Sequence, residues 1–483
     1  MISLIAFLVS AESFAQRRMT LSDCLKIAHA QAPSLIEAKR NYEIATFTAQ
    51  AQDRSLRSKV DLTLSAPIYS DNTSPIYNPV TGTTDLLKQE NLQYGGALTI
   101  SQPIFWTGGL LSVEGDLFRR SQGTLSGTKI NDYLGVGSIS LYQPLFKSNE
   151  YKLESREAEM STDQARASYL GQWVSVDFQI ENAFFTLFET TEELKIKHDE
   201  VDASQANYQL ATNKYKAGLI AEVDALQLEV DLATAQTDLF DTERRHKAAE
   251  RSLLSALGMP LDEKVSAQID TLVEITVKLN PDEAGRQALS RRQDVLSARY
   301  DIERQEIAQD RVRNGRTISA ALTGSFGASN NGDPISVLAD KPYLNRGLTL
   351  SVNIPVLDWG AQSSRLDAAQ ASIEVSRIAL VVKERQVEQE VLGVLEQLGS
   401  AQQQVEVAKK SGIVAQKAYD LSRARFDAGK ITSQDLSLAQ DRLTRARLSA
   451  LTAEVAEHLA LADLRQKTLF DYATGTAVQG DMQ

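Results

Sequence analysis

Two long stretches of this chain contain no proline. Residues 145–259 and 356–483, 115 and 128 residues long, hold none of its eleven. Both are rich in Ala, Gln, Leu, Glu, Lys and Arg, which are strong helix formers. A single proline inside a helix costs about 3 kcal/mol, so such gaps predict long, uninterrupted helices. Segments 59–146 and 316–357 collect Gly, Ser, Thr, Asn and most of the prolines around alternating apolar residues, and these read as strands and turns.

The second helical stretch carries a ladder. Leu366, Ile373, Leu380, Val387, Val394, Ala401, Ala408 and Ala415 fall every seventh residue, and Val391, Leu398 and Val405 add a second stripe. A sustained seven-residue period specifies a supercoiled helix packed on neighbours. From about residue 360 to 427 this is one helix of roughly 100 Å at ~1.5 Å per residue. Ala428-Gly429-Lys430-Ile431 breaks it, and a second helix runs from about 433 to 470. The first stretch repeats the plan: a helix to about 216, Ala217-Gly218-Leu219-Ile220, then a helix to Gly258. Two long helical hairpins are implied.

The halves are duplicates. Tyr215-Lys216-Ala217-Gly218 matches Phe426-Asp427-Ala428-Gly429 at an offset of 211, as do Asp224 with Asp435 and Pro144 with Pro355. Upstream the offset is 260: Ala28 with Ala288, Leu35 with Val295, Leu62 with Leu322. The first half therefore carries 260 − 211 = 49 extra residues in its strand region. Gln102-Pro103-Ile104-Phe105 and Gln143-Pro144-Leu145-Phe146 are two similar strand ends 41 residues apart, with Leu111, Val113, Gly115 and Leu117 alternating between them. One additional strand pair is expected there, giving about four strands in the first half and two in the second.

The strands are two-faced. Leu348, Leu350, Val352, Ile354 and Val356 alternate with polar residues; Val60, Leu62 and Leu64 do the same, and so do Ile139, Leu141 and Leu145. An antiparallel sheet wetted on one side has this pattern, and so does a membrane barrel with lipid outside and water inside. Tyr94, Phe105, Trp106, Tyr142, Phe146 and Trp359 read as an aromatic girdle at strand ends. Six strands are too few to close a wide barrel, so several copies would have to share one. No run of 18 apolar residues exists, so a spanning helix is excluded. A net charge of −12 argues against a general nucleic-acid binder, and a single cysteine excludes a disulfide framework. Ile2–Val9 and Ser13-Phe14-Ala15 resemble a secretory signal peptide ending at Ala15. Cys24 reads as a lone buried thiol.

In its order of parts the chain resembles the TolC family of outer-membrane efflux proteins over about residues 20–470. The features that carry the likeness are the twofold repeat, the Leu25…Ala28…Pro33-Ser34-Leu35 opening and the Gln-Pro-Leu-Phe strand end. The Tyr/Phe-x-x-Gly-x5-Asp tips and Gly258-Met259-Pro260-Leu261-Asp262 complete it. The resemblance implies a mainly α fold with a transmembrane β-barrel: a trimeric α-barrel of long hairpins joined to a β-barrel shared by three copies. The division would be a signal peptide 1–15, a first repeat 16–258, an equatorial connector 259–285, a second repeat 286–470 and a tail 471–483. The implied function is the outer-membrane channel of a tripartite efflux or type I secretion system. It would be a passive homotrimeric conduit in the outer-membrane lipid, extending into the periplasm. A periplasmic adaptor (membrane fusion) protein and an inner-membrane pump would be its partners. The alternative is a structural coiled-coil scaffold of the cell envelope. The inserted residues depart from the simplest family pattern of four barrel strands per protomer, and either a wider barrel or a projecting hairpin would accommodate them.

No catalytic constellation, metal-ligand spacing, phosphate loop or cofactor motif is visible, so the chain does not read as an enzyme. His29, His198, His246 and His458 are scattered and read as surface or packing residues. The informative carboxylates are Asp224 and Asp435, each six residues after a tip glycine. Either they cap and compensate the descending helices, or they ring a constriction at the periplasmic mouth. The resemblance puts Asp435 at one family gate aspartate and Asp224 in the constraining network. A second gate aspartate would fall at Leu438 and an arginine partner at Ile431, so any latch uses other contacts. The tips Gly218, Leu219, Ile220 and Gly429, Lys430, Ile431 carry apolar residues on turns, which either pack locally or meet a partner. By resemblance that partner is the adaptor.

Overall fold

The computed structural model describes residues 17–78, 82–123, 129–268, 280–316, 318–472 and 474–480. The expected signal segment 1–15 and residues 269–279 of the expected connector lie outside them. In chain order the elements are β1 (Arg17–Met19), α1 (Leu21–Gln31), α2 (Pro33–Ser55), β2 (Lys59–Asn78), β3 (Thr83–Ile104), β4 (Gly109–Gly123) and β5 (Lys129–Leu145). There follow α3 (Glu150–Lys216), α4 (Glu222–Leu257), β6 (Val265–Ala267), α5 (Pro281–Arg291), α6 (Gln293–Arg316) and β7 (Ser319–Gly332). A 3-10 turn (Ile335–Ala339), β8 (Tyr343–Asn353), α7 (Ala361–Asp427), α8 (Ser433–Thr468), β9 (Phe470–Asp471) and β10 (Thr476–Ala477) complete the chain.

The long helices are duplicates in length: α3 and α7 have 67 residues each, α4 and α8 have 36. Every bound of α3 and α4 maps onto α7 and α8 at the offset of 211. The heptad ladder is the buried face of α7: Ile373, Val387, Val391, Val394, Leu398, Ala401, Val405 and Ala408 are all buried.

The chain divides into two compact units. One holds the chain up to Tyr42, Gln164–Ser297 and everything from Leu380 on. Its main core joins α1 to α3 and α4, with Cys24, Ala28, Phe184, Leu187, Leu253, Leu254 and Leu257 fully buried. The start of α1 is fixed by a capping box between Thr20 and Asp23. Cys24 is a free thiol, and burial pushes its pKa up to about 12, which keeps it unreactive. A polar cluster sits beside this core. Arg465 Nη2 donates to Glu181 Oε1 at 2.5 Å, and His29 meets Asp177 while stacking on Trp173 at 3.9 Å.

The other unit comprises Glu43–Asp163 and Ala298–Ala379. It is built on a six-stranded antiparallel sheet of order β2-β3-β4-β5-β7-β8. The inserted pair is continuous with the rest: β3–β4 and β4–β5 pair without interruption from Asn91↔Gln122 to Ile104↔Gly109 and from Leu110↔Tyr142 to Gly123↔Lys129. The duplication of strand ends is also a duplication of contacts. Gln102 Nε2 donates to the carbonyls of Leu56 and Pro103, and Gln143 Nε2 to those of Thr107 and Pro144. The β2–β3 and β4–β5 hairpins are thus copies of one unit.

Three strand expectations change. β8 stops at Asn353, because its pairing ends with Ser319 of β7, so Ile354 and Val356 run on outside the sheet. β2 and β3 reach about a dozen residues beyond the legible alternation, through Tyr69–Ser74 and Thr84–Gln89. Pairing of two polar strands holds that extension, and periodicity does not reveal it. Tyr94 lies in the middle of β3, away from the strand ends.

Candidate functional site

The two hairpin tips are brought side by side. Each long helix ends in the same motif. Gly218 and Gly429 both adopt φ +72°, the left-handed region that favours glycine. The amides of Leu219 and Lys430 reach back to the carbonyls of Lys214 and Arg425, both at 2.9 Å. A small core holds the tips together: Ala211, Ala225, Leu228, Tyr419, Phe426, Leu436 and Leu443. Ile220 and Ile431 pack against this core, whereas Leu219 is 72% exposed and Lys430 points to solvent. The apolar tip residues therefore divide, two packing locally and one lying open.

Asp435 caps its own helix. Its Oδ2 accepts from the backbone N–H of Thr432 at 3.1 Å and from Thr432 Oγ1 at 2.8 Å, and its own N–H donates to Thr432 Oγ1. Those bonds, the hydroxyl's first, hold the carboxyl below the usual carboxylate range. Asp224 does something different. The N-cap of α4 is Ala221, which offers no side-chain bond, and Asp224 Oδ1 instead accepts from Ser433 Oγ at 2.7 Å. One turn on, Ser437 Oγ donates to Asp231 Oδ2. The α4 carboxylates thus tie the start of α8 to α4.

A further tie joins α3 to α7. Lys214 is buried, and its Nζ donates to the carbonyl of Phe426 and, at 2.8 Å, to that of Asp427. It also sits 4.7 Å from the centre of the Phe426 ring. A cation is thereby fixed at the negative end of a 67-residue helix. Deeper, Asn207 of α3 donates to Gln440 of α8 at 2.8 Å. Beside these contacts lies a groove of about 670 Å³ faced by Glu200, Asp224, Asp231, Asp238 and Asp441. Leu438, where the resemblance would place another acid, is 47% exposed.

Sequence reading located Asp224, Asp435 and the tip glycines but missed Lys214, Ser433 and Ser437. A signal for them existed. At the repeat offset Ser433 stands against Glu222 and Ser437 against Leu226, so the serines lie where the halves differ. Lys214 stands against Arg425, a basic pair of which one member is turned inward.

The sequence matches the profile of the family described as "Outer membrane efflux protein" over residues 24–259 and 284–468. The chain is 22% identical to the outer membrane efflux protein BepC of Brucella suis over 334 residues, 68% of this chain and 71% of that one. It is 22% identical to the cobalt-zinc-cadmium resistance protein CzcC of Cupriavidus metallidurans over 299 residues, 61% of this chain and 68% of that one. Its fold is similar to the open state of the MtrE outer membrane channel of Neisseria gonorrhoeae, with TM-score 0.66 and 16% identity, covering 96% of this chain and 90% of that one. The CmeC outer membrane channel of Campylobacter jejuni gives TM-score 0.67 and 15% identity, with 95% and 86% covered.

Proposed function

This chain belongs to the outer membrane efflux protein family and resides in the outer membrane, and on that premise we propose that three copies form a passive conduit from the periplasm to the exterior. The observation that carries this reading is the sheet. Val60, Leu62, Leu64, Leu98, Leu348 and Leu350 lie on one face, between 43% and 77% exposed, uncovered by the described residues of their unit. The register places Thr63, Thr99, Ser112, Ser140, Thr323 and Thr349 together on the opposite face. Lipid on one side and water on the other satisfy both faces at once. A coiled-coil scaffold has no use for such a sheet. Both edge strands, β2 and β8, carry unpaired backbone groups, which hydrocarbon does not tolerate, so closure through further copies follows.

The helices supply matching borders. α3 bonds to α4, α7 and α8, and α8 bonds to α4 and α7. That leaves α4 and α7 at the flanks. Val223, Leu226, Val230 and Phe240 form an exposed apolar stripe on α4, and Val407, Val414 and Leu421 one on α7. Apposed between copies, these stripes seal a helical barrel whose mouth is the tip cluster. Asp224 and Asp435 stand at that mouth as the constriction, held by the Ser433 and Thr432 contacts. The tips dock a periplasmic adaptor, with energy supplied by an inner-membrane pump; the protein itself carries out no chemistry.

Docking is tested at the residues that face solvent. Substitution of Gly218 or Gly429 would disturb a left-handed turn, so the cleaner variant is Leu219→Asp with Lys430→Glu. It should abolish efflux, measured as drug sensitivity of a complemented deletion strain, while trimers persist on a native gel. Unchanged sensitivity would remove the docking role.

A further inference from the structure

We infer that the barrel built by this chain has eighteen strands and is half as wide again as the barrel that four strands per copy would give. This rests on the trimeric reading above and specifies its exit portal. The inserted residues were free either to project as a separate hairpin or to join the sheet. They join it. β4 is hydrogen-bonded along its length to β3 on one side and β5 on the other, and β5 in turn to β7 from Tyr133↔Gly332 to Leu145↔Ala320. Each of these three pairings exceeds the ~9–11 residues that a tilted strand needs to cross a bilayer. The inserted pair is two-faced in phase with its neighbours, since Leu111 and Val113 share a face with Ile100, Ile139 and Leu141. No position therefore exists for the pair outside the wall.

Direction also fits. Six alternating strands start with β2 and end with β8 running opposite to it, so β8 of one copy meets β2 of the next antiparallel, as every pair inside the sheet does. Strands ~4.8 Å apart and tilted ~40° give a backbone diameter of about 36 Å for eighteen strands and about 24 Å for twelve. The inward face does not fill this space. Ser101, Ser112, Ser138, Ser140, Ser325 and Thr349 line it with short side chains, and Glu114, Phe118 and Arg120 reach in from the same face. The register puts Gly95 on this face too, where the Phe118 ring lies over it, its Cδ1 2.7 Å from where a Cβ would stand. Where the lining is that short the bore is about 28 Å, against about 16 Å for twelve strands with the same lining. The exit thus admits a solute of protein dimensions, and selection by size falls to the helical mouth.

The duplicated strand ends give a clean control. Joining Gln102 directly to Pro144 removes 143 − 102 = 41 residues. β3 then stands where β5 stood, running the same way and ending in the same Gln-Pro contacts. Two measurements decide. Single-particle imaging of the full chain in detergent should show a trimer with eighteen strands, and the excised chain a trimer with twelve. Ser325→Cys, on the inward face of β7 and retained by the excision, should be labelled on intact cells by polymer-maleimides up to about 25 Å in hydrodynamic diameter. In the excised chain the limit should fall to about 15 Å. The natural Cys24 is fully buried and stays silent. A trimer with twelve strands, a twelve-stranded dimer, or a labelling limit unmoved by the excision would overturn the inference. A chain that is monomeric in plain buffer would overturn the channel reading itself.

Discussion

Replacing Lys214 by methionine isolates a buried cation that joins the two tips. Methionine keeps the apolar stem against Phe426 and deletes the donor. Two charge-assisted bonds to backbone carbonyls are lost, each worth about 1.5–3 kcal/mol in a buried setting. Asp427 is exposed, so water replaces part of that loss at its carbonyl. The Phe426 carbonyl keeps its bond from the Gly429 amide at 2.9 Å. A net loss of about 2 kcal/mol follows, or roughly a 30-fold rise in tip opening. Hydrogen exchange on the purified protein reads this directly. The amides of Gly429 and Lys430, which donate to Phe426 and Arg425, should lose about 30-fold in protection. The amides of Gly258 and Met259, at the far end of α4, should not move. Lys214→Arg, which keeps a donor, should retain most of the protection. Unchanged exchange at residues 429–430 in the methionine variant would refute the idea that this lysine clamps the tips.

Three more outcomes follow from the contacts. Thr432→Ala removes the N-cap of α8 and should destabilise the tip by about 1 kcal/mol, seen as faster exchange at residues 433–437. Because the Asp435 pKa is lowered by Thr432, the stability it adds is complete above its ordinary value of 3.8 and is lost as pH falls below it; protection of the α8 start should therefore be flat on acidification until that range. Arg465→Met strands Glu181, while Asp177 keeps His29, and should cost about 3 kcal/mol in denaturant unfolding, with Glu181→Gln in the same chain restoring part of it. Burial already raises the Glu181 pKa against the pull of Arg465, so stability falls as pH rises from the ordinary carboxylate range through that raised value, and Arg465→Met should extend the fall to higher pH.

Much of the architecture is written along the chain. Proline placement, the seven-residue ladder and the tip glycines locate both ends of α7 and α8 and the C-terminal ends of α3 and α4 within about two residues, because these are local properties: backbone donors, side-chain period and left-handed turns. The 49-residue excess was legible too, since a duplicated Gln-Pro end leaves a trace in sequence. What the inserted residues do was not legible. Whether a hairpin projects or joins a wall depends on which strand lies beside it, and β5 against β7 pairs residues nearly two hundred positions apart. The tip site divides in the same way. Asp435 caps a turn three residues away and was readable, whereas Asp224 to Ser433 and Lys214 to Phe426 span more than two hundred residues. Only the packing of two duplicated hairpins against each other brought those groups within a hydrogen bond, and it did so where the duplicates had ceased to be identical.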